Sequence, residues 1–268
     1  MYKADLHIHS TVSDGSDSIA AIISAAKAKH LDAIAITDHD TLAHLGYFPD
    51  DPGIRLIGGI EISAVDKRSN MRTHILGYNI KNPHILPAFT QPVLEARNRN
   101  SERQAEILIE HGFALDIDKL ERADGKYLYK QHIMAQLVKS GQAAELFGSF
   151  YYKTFKNGGI CAFDIDYPDA FEAVRLIKES GGKAVLAHAG QQENFYLIPE
   201  LVKAGLDGLE LNHHANNERA KKIITAYAQE YGLFLTGGSD YHGAYEPQPF
   251  GIGDFIAEES GVKTLCLS

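Results

Sequence analysis

Seven short apolar runs separated by helical patterns constrain this chain more than any other feature. They are ADLHIHS (4–10), DAIAIT (32–37), IRLIGGIEIS (54–63), THILGY (73–78), KAVLAH (183–188), DGLELN (207–212) and LFLTGGSD (233–240), and they read as buried parallel strands. Between the first two, DSIAAIISAAKAKH (17–30) repeats Ile19, Ile22, Ile23 and Ala26 at helical spacing. PDAFEAVRLIKESGG (168–182) opens on Pro and closes on Gly, and NNERAKKIITAYAQEYG (216–232) precedes the last clear strand. Strands alternating with helices predict an α/β fold, and right-handed crossovers put the loops that follow the strands on one side. The interval 80–166 breaks this rhythm: NRNSERQAEILIEHG (98–112), KQHIMAQLVKSG (130–141) and AELFGSFYYKTF (144–155) read as helices without a convincing strand. A mainly helical insertion at 80–166 is therefore expected inside a barrel unit made of 1–79 and 167–268.

Composition excludes several classes. Of 268 residues, 44% are hydrophobic and 23% charged, which is ordinary for a globular chain and speaks against disorder. Lys plus Arg number 26 against 35 Asp plus Glu, a net charge of -9, so the basic footprint of a duplex DNA binder is missing. Cys161 and Cys266 stand far apart in no ligand-like spacing, which argues against a disulfide framework and makes a reducing cytoplasm the expected location. No apolar run approaches the ~18 residues of a membrane span, and no leader-like segment precedes ADLHIHS. What stands out is 13 His with no Trp.

Those histidines gather with carboxylates around the strand ends, where barrel enzymes build their sites. His7 and His9 are two apart in the first strand, so both face one side while Leu6 and Ile8 face the other. Asp14 follows in STVSDG, His39 in ITDHDT, Glu61 in GGIEIS, His74 in RTHILGY and His188 in VLAHAG. Asp240 and His242 in GGSDYHG repeat the two-residue spacing. Six imidazoles and three carboxylates exceed what one ion uses, since zinc takes about four ligands and manganese or iron about six. Two or three divalent ions are implied, and their positive charge would outweigh Asp14, Glu61 and Asp240 and attract a phosphoryl group. Asp5, Asp38 and Asp40 are read as orienting or capping groups. Gly58, Gly59, Gly237 and Gly238 are read as allowing close backbone approach before ligand positions.

Taken in order, DLHIHSTVSDG, AITDHDT, GIEIS, HILGY, VLAHAG, GLEL and GSDYHG resemble the PHP family, the polymerase and histidinol phosphatase metal-dependent phosphoesterases, over nearly the whole chain. The resemblance implies a distorted (β/α)7 TIM-like barrel with up to three metals, of Mn, Fe or Zn. Position by position it implies His7, His9, Glu61 and Asp240 around one metal, with Glu61 bridging to a second held also by His74 and His188. Asp14, His39 and His242 would hold the third, and because some members carry His where Asp14 stands, manganese or iron suits that position better than zinc. Members with a helical insertion after HILGY act on nucleotide-like phosphates, and this chain resembles them. Its YKQHIMAQL is similar to their Arg-Pro-His-Ile-Ala segment, with Lys130 for Arg and Gln131 for Pro.

From that likeness Lys130 and His132 are expected to meet substrate phosphate, with Arg97, Arg99 and Arg103 adding to the pocket. His213 or His214, just past GLELN, is expected to touch phosphate or the leaving group, so His213 and His132 are the candidate proton-transfer residues. The aromatic cluster Phe147, Phe150, Tyr151, Tyr152 and Phe155 is read as core of the insertion rather than a base-stacking platform. The function expected is hydrolysis of a phosphomonoester of a nucleotide or nucleotide-like small molecule by metal-activated hydroxide. A 5'-3' exonuclease acting on short single-stranded RNA is an alternative, because a strand end could enter a small cationic mouth despite the acidic exterior. An amidohydrolase-type metal hydrolase is the runner-up class. Such barrels also begin with H-x-H, but they usually carry a bridging Lys, and no strand-end Lys is evident. Metals serving only as structural staples would be the non-enzymatic reading. No membrane partner is expected.

Overall fold

The computed structural model describes residues 2–245 and 250–267. Among them the strands are β1 (Ala4–Ile8), β2 (Ala33–Ile36), β3 (Arg55–Ile62), β4 (Val65–Asp66), β5 (Met71–Arg72), β6 (Ile75–Tyr78), β7 (Lys183–Leu186), β8 (Gly208–Asn212) and β9 (Phe234–Gly237). Seven of them form one sheet in the order β1-β2-β3-β6-β7-β8-β9, and β4 pairs with β5 separately. Every neighbouring pair in the large sheet is parallel except those of β6, which is antiparallel to both β3 and β7. This corrects the all-parallel reading, and the reason is local: β3 returns to β6 through the β4–β5 hairpin instead of a helical crossover, and a hairpin reverses direction. The first residue of a reversed strand lies at the rim where the other strands end. His74, immediately before β6, therefore stays with the polar residues of that rim.

Past β9 the chain bonds back to β1, with Asp240 N–H donating to the His7 carbonyl and His9 N–H to the Tyr241 carbonyl, both at 2.9 Å. The sheet thereby curls into a nearly closed, distorted (β/α)7 TIM-like barrel. The helices are α1 (Ile19–Ala28), α2 (Pro87–Glu110), α3 (Lys130–Lys139), α4 (Ser149–Phe155), α5 (Ala170–Glu179), α6 (Ala189–Gln192), α7 (Ile198–Ala204), α8 (Glu218–Tyr231) and α9 (Glu259–Leu265). Ser18, Asp169 and Asn217 cap α1, α5 and α8 through their side-chain oxygens, which satisfies donors that the first turn leaves open. The buried stripe of α1 is Ile19, Ile22, Ile23 and Ala26, as its spacing predicts. α2 begins well before the expected run at 98, because Pro87 at the first turn presets the helical φ.

Two apolar layers flank the strands. Ile60, Ile62, Ile75 and Leu186 pack with Ala173, Val174 and Ile177 of α5, while Leu6, Ala35, Leu76, Tyr78 and Val185 fill the barrel interior. The 80–166 segment gathers its own cluster around Leu108, Leu128, Ile133, Leu137 and Phe155. No helix among the described residues is long and apolar enough to cross a membrane.

Tyr78 is fully buried, and its hydroxyl donates to the Leu6 carbonyl at 2.7 Å across the interior. Tyr78→Phe is expected to lower the unfolding free energy by about 1–2 kcal/mol, read from the urea midpoint at unchanged m-value. A wild-type midpoint would mean that this bond adds nothing net.

Candidate metal centre

His7 and His9 face the barrel mouth and Ile8 joins the apolar layer against α1. Leu6 does not share the side of Ile8 as alternation alone predicts: the β1–β2 register shifts between Asp5 and Ile8, and Leu6 packs in the barrel interior. Glu61, at the end of β3, is buried, and its two oxygens divide the histidines between them. Oε1 lies 2.9 Å from His74 Nδ1 and 2.9 Å from His188 Nε2. Oε2 lies 3.3 Å from His7 Nε2, 3.2 Å from His9 Nε2 and 3.3 Å from His39 Nδ1. Asp240 Oδ1 approaches His7 Nε2 at 3.3 Å and His9 Nε2 at 3.1 Å. Asp14, in the turn after β1, faces His242, His9 and His39 at 3.5, 3.7 and 3.9 Å.

All nine positions singled out in the sequence thus converge. Among the described residues the donor atoms of eight of them fall into three groups, each within 4.8 Å: His7, His9, Glu61 and Asp240; His9, Asp14, His39 and His242; and His39, Glu61 and His74. His188 belongs to none of the three and joins the centre through Glu61 Oε1. The grouping differs in detail from the one the resemblance implies, since His9 borders two groups and His39 reaches Glu61 as well as Asp14. Backbone geometry enforces the convergence. Asp240 (φ 52°) and His188 (φ 27°) occupy the sparsely populated positive region, where strain concentrates at functional sites. A Cβ on Gly238 would meet the His7 backbone nitrogen at 2.4 Å, so only glycine lets this turn press against β1.

The residues fit divalent cations for a specific reason. His7 Nδ1 donates to Glu210 Oε1 at 3.0 Å, which leaves the Nε2 lone pair aimed at carboxylate oxygens of Glu61 and Asp240. Acceptors facing acceptors repel unless a cation lies between them. Accordingly, His7 Nε2, both ring nitrogens of His9, and Oδ1 of Asp14 and of Asp240 are buried without a hydrogen-bond partner. Burial alone would push the Glu61 carboxyl up, yet His39, His7 and His74 hold it well below the usual range. Asp240 is held low against burial by His7, His213 and His9.

Glu210 has no assigned role in the sequence reading, although it is one of the rim's main supports. Besides orienting His7, its Oε2 accepts from His188 N–H at 2.8 Å. It lies in GLELN, where strand alternation could have put it on the inward face. Asp5 accepts from Ser239 and Gly253 N–H, Asp38 from Ser10 N–H and the Ser13 hydroxyl, and Asp40 from Ser63 N–H, so these bonds brace the turns that carry the donors and do not hold an imidazole ring. His44 is fully buried, with Nδ1 3.1 Å from Asp38.

Beside the centre lies a cavity of about 150 Å³ that Asp14, His39 and His74 share with Arg72, Arg97, Lys130, Lys156, Phe147, Tyr151 and Tyr167. Arg97 donates to Asp40 at 2.9 Å and to Ser63 Oγ at 2.8 Å, and rests over the Tyr129 ring. Arg72 donates to Asp164 at 2.5 Å, and Lys130 Nζ stands 3.6 Å from the same carboxylate. Burial pushes Lys130 down to about 8, with Asp164 opposing. The sequence reading missed Arg72 and Lys156. Of the aromatic cluster, read as core in preference to a stacking platform, Phe155 is buried in that core and Phe150 and Tyr151 pack on it, while Tyr151 and Phe147 also line the cavity.

Several expected substrate contacts lie elsewhere. Arg99 (68% exposed) and Arg103 (52%) pair with Glu95, and with Glu106 and Glu110, on the outer side of α2. His132 is buried, its Nδ1 accepting from Tyr129 N–H at the start of α3, and burial pushes it down to about 4. It lines neither this cavity nor the adjoining one. His213 Nδ1 accepts from Ala215 N–H, so its Nε2 donates to Asp240 Oδ2 at 3.3 Å. His214 stacks on Phe250.

A barrel whose mouth gathers six imidazoles and three carboxylates beside a cationic cavity defines a metal-dependent hydrolase. Residues 5–233 match the PHP domain, and the chain belongs to that family. It is a hydrolase of the metal-dependent phosphoesterase class. Phosphoribosyl 1,2-cyclic phosphate 1,2-diphosphodiesterase of Eggerthella lenta is 40% identical over 91% of this chain and 96% of that protein. The 5'-3' exoribonuclease Rnm of Escherichia coli is 29% identical over 89% of this chain and 84% of its own length. The 3',5'-nucleoside bisphosphate phosphatase of Chromobacterium violaceum is 28% identical over 90% and 88%. A solved Bifidobacterium adolescentis structure, assigned to the metal-dependent phosphoesterases, superposes with a TM-score of 0.87 at 25% identity, covering 98% of this chain and 94% of that one.

Glu210→Gln would set an amide N–H₂ against the His188 N–H or the His7 ring. It is expected to weaken divalent-metal binding ten- to hundredfold in calorimetric titration of chelator-stripped protein. Wild-type affinity would remove Glu210 from the support of the centre.

Proposed function

We propose that this protein hydrolyses a phosphomonoester on a small molecule bearing a second anionic group, a nucleotide or nucleotide-like compound, with two or three divalent ions of Mn, Fe or Zn. The observation that carries this reading is the cavity flanked by the nine-residue centre on one side and by Arg72, Arg97, Lys130 and Lys156 on the other. His7, His9, Glu61 and Asp240 would hold one ion. Glu61, His74 and His188 would hold a second, and Asp14, His39 and His242 a third. When bound, such ions activate water near neutral pH and offset charge on the phosphoryl oxygens. Arg97, fixed by Asp40, Ser63 and the Tyr129 ring, supplies a preorganised charge beside that position, and Lys130 and Lys156 bind the second anion. Phe147 and Tyr151 offer apolar faces to the organic part. His213 steadies Asp240, and the 80–166 segment acts as the cap that completes the pocket.

The presence of Phe147 and Tyr151 next to these cations supports a second reading, in which the end of a short RNA enters the cavity with its base stacked there. An amidohydrolase reading is weaker. Glu61 is shared between donor groups, and the two lysines that line the adjoining cavity, Lys130 and Lys156, come from the 80–166 segment and not from a strand end. Duplex DNA and membranes are not proposed as partners. A cytoplasmic setting is supported by Cys161 and Cys266, both buried and free.

The deciding experiment is phosphate release by manganese-loaded protein from mono- and bisphosphorylated nucleotides, short RNA and p-nitrophenyl phosphate, with cyclic amides as the opposing class. Turnover of amides but not phosphates would overturn the reading. Asp240→Asn is expected to cut the rate by several orders of magnitude; an unchanged rate would favour metals as structural staples. Because Lys130 loses its proton as pH passes about 8, KM should rise above that pH. In Lys130→Arg, whose charge persists, that rise should vanish. A KM independent of pH in wild type would take Lys130 out of substrate binding.

A further inference from the structure

We propose that Gln131 is a positioning residue through which the 80–166 segment sets the His9, Asp14, His39 and His242 group, so that metal binding there and anion binding beside Lys130 depend on each other. Gln131 Nε2 donates to Asp14 Oδ2 at 2.7 Å. With that oxygen pinned, Oδ1 is left buried without a hydrogen-bond partner, facing His242 and His9. The amide therefore decides which carboxylate oxygen is offered to the group and in what direction.

Gln131 has little freedom of its own. It follows Lys130 on the first turn of α3, where Lys130 stands against Asp164 and the His132 ring caps Tyr129 N–H. A second connection runs beside it. The Tyr129 ring supports Arg97, Arg97 donates to Ser63 Oγ, and that oxygen lies 3.2 Å from His39 Nδ1. Two members of this one group are thus held from the 80–166 segment. His7 and His188 of the remaining positions are held from within the barrel, by Glu210. Any ligand that tightens the first turn of α3 also tightens Asp14, and linkage makes the effect reciprocal. The proposal rests on the metal-dependent reading of the centre but not on the identity of the substrate.

The test uses the chelator-stripped full chain, titrated with Mn²⁺ by calorimetry and metal analysis, with and without saturating inorganic phosphate. Wild type should bind one ion whose affinity rises several-fold with phosphate. Gln131→Leu and Gln131→Ala should weaken that ion ten- to hundredfold, abolish the phosphate effect and leave the remaining ions within about twofold. Urea midpoints of both variants separate this outcome from general destabilisation, which would weaken every ion together. The proposal is overturned by wild-type affinities in both variants, by equal weakening of all ions, or by a wild type indifferent to phosphate. Absence of phosphate release from every substrate would defeat the proposed activity yet leave these titrations readable.

Discussion

Five imidazoles aimed at the two oxygens of one buried carboxylate are the constraint on which this structure depends. Glu61 draws His74 and His188 to one oxygen and His7, His9 and His39 to the other. An ionised carboxyl is expensive to bury unless compensated, and compensation here needs side chains from β1, the β2 loop, the start of β6 and the end of β7 in one place. Only a sheet curled far enough to bring β9 back to β1 delivers them. The hydrogen bonds from Asp240 N–H to His7 and from His9 N–H to Tyr241 are therefore as much part of the centre as the side chains, and the contact that Gly238 permits against His7 follows from the same closure.

The one reversed strand does two jobs through a single topological departure. Because β3 turns back through a hairpin, His74 arrives at the rim from the opposite chain direction, and Arg72 of β5, two residues earlier, reaches the adjoining cavity. A helical crossover would have carried both away from the mouth. The hairpin so places a candidate metal donor and a candidate anion contact on the wall of one cavity, which is what handling a charged phosphoryl group beside cations requires.

How much of this was legible in the sequence depended on whether chemistry or phase carried the signal. The nine donor positions were visible because they recur at strand ends in a recognisable order, and His-x-His declares its own facing by alternation. Glu210 was passed over because a carboxylate in the middle of an apolar strand gives no sign of which ring it will meet. Arg97, Arg99 and Arg103 could not be ranked without the helix phase. Two residues on α2 turn the side chain by roughly 200°, which sends Arg99 to the outer face while Arg97 enters the cavity. Lys156 follows α4 in irregular chain, where no periodicity points anywhere. His132 looked chemical because of its neighbours, but its ring serves the backbone of the turn that begins α3.

The distribution of charge joins the fold to the chemistry. The chain as a whole carries -9, yet Arg72, Arg97, Lys130 and Lys156 converge on one small cavity with Asp40 and Asp164 as their internal partners. Low-dielectric walls focus such a field inward. A small anion that enters meets the cations first and the carboxylate-lined centre behind them. Two divalent ions held there would invert the sign of that inner region, because three carboxylates cannot balance them. The pocket would then attract phosphate along its whole depth, so that on the proposed reading the preference for small phosphorylated molecules would follow metal loading and not the cationic side chains alone.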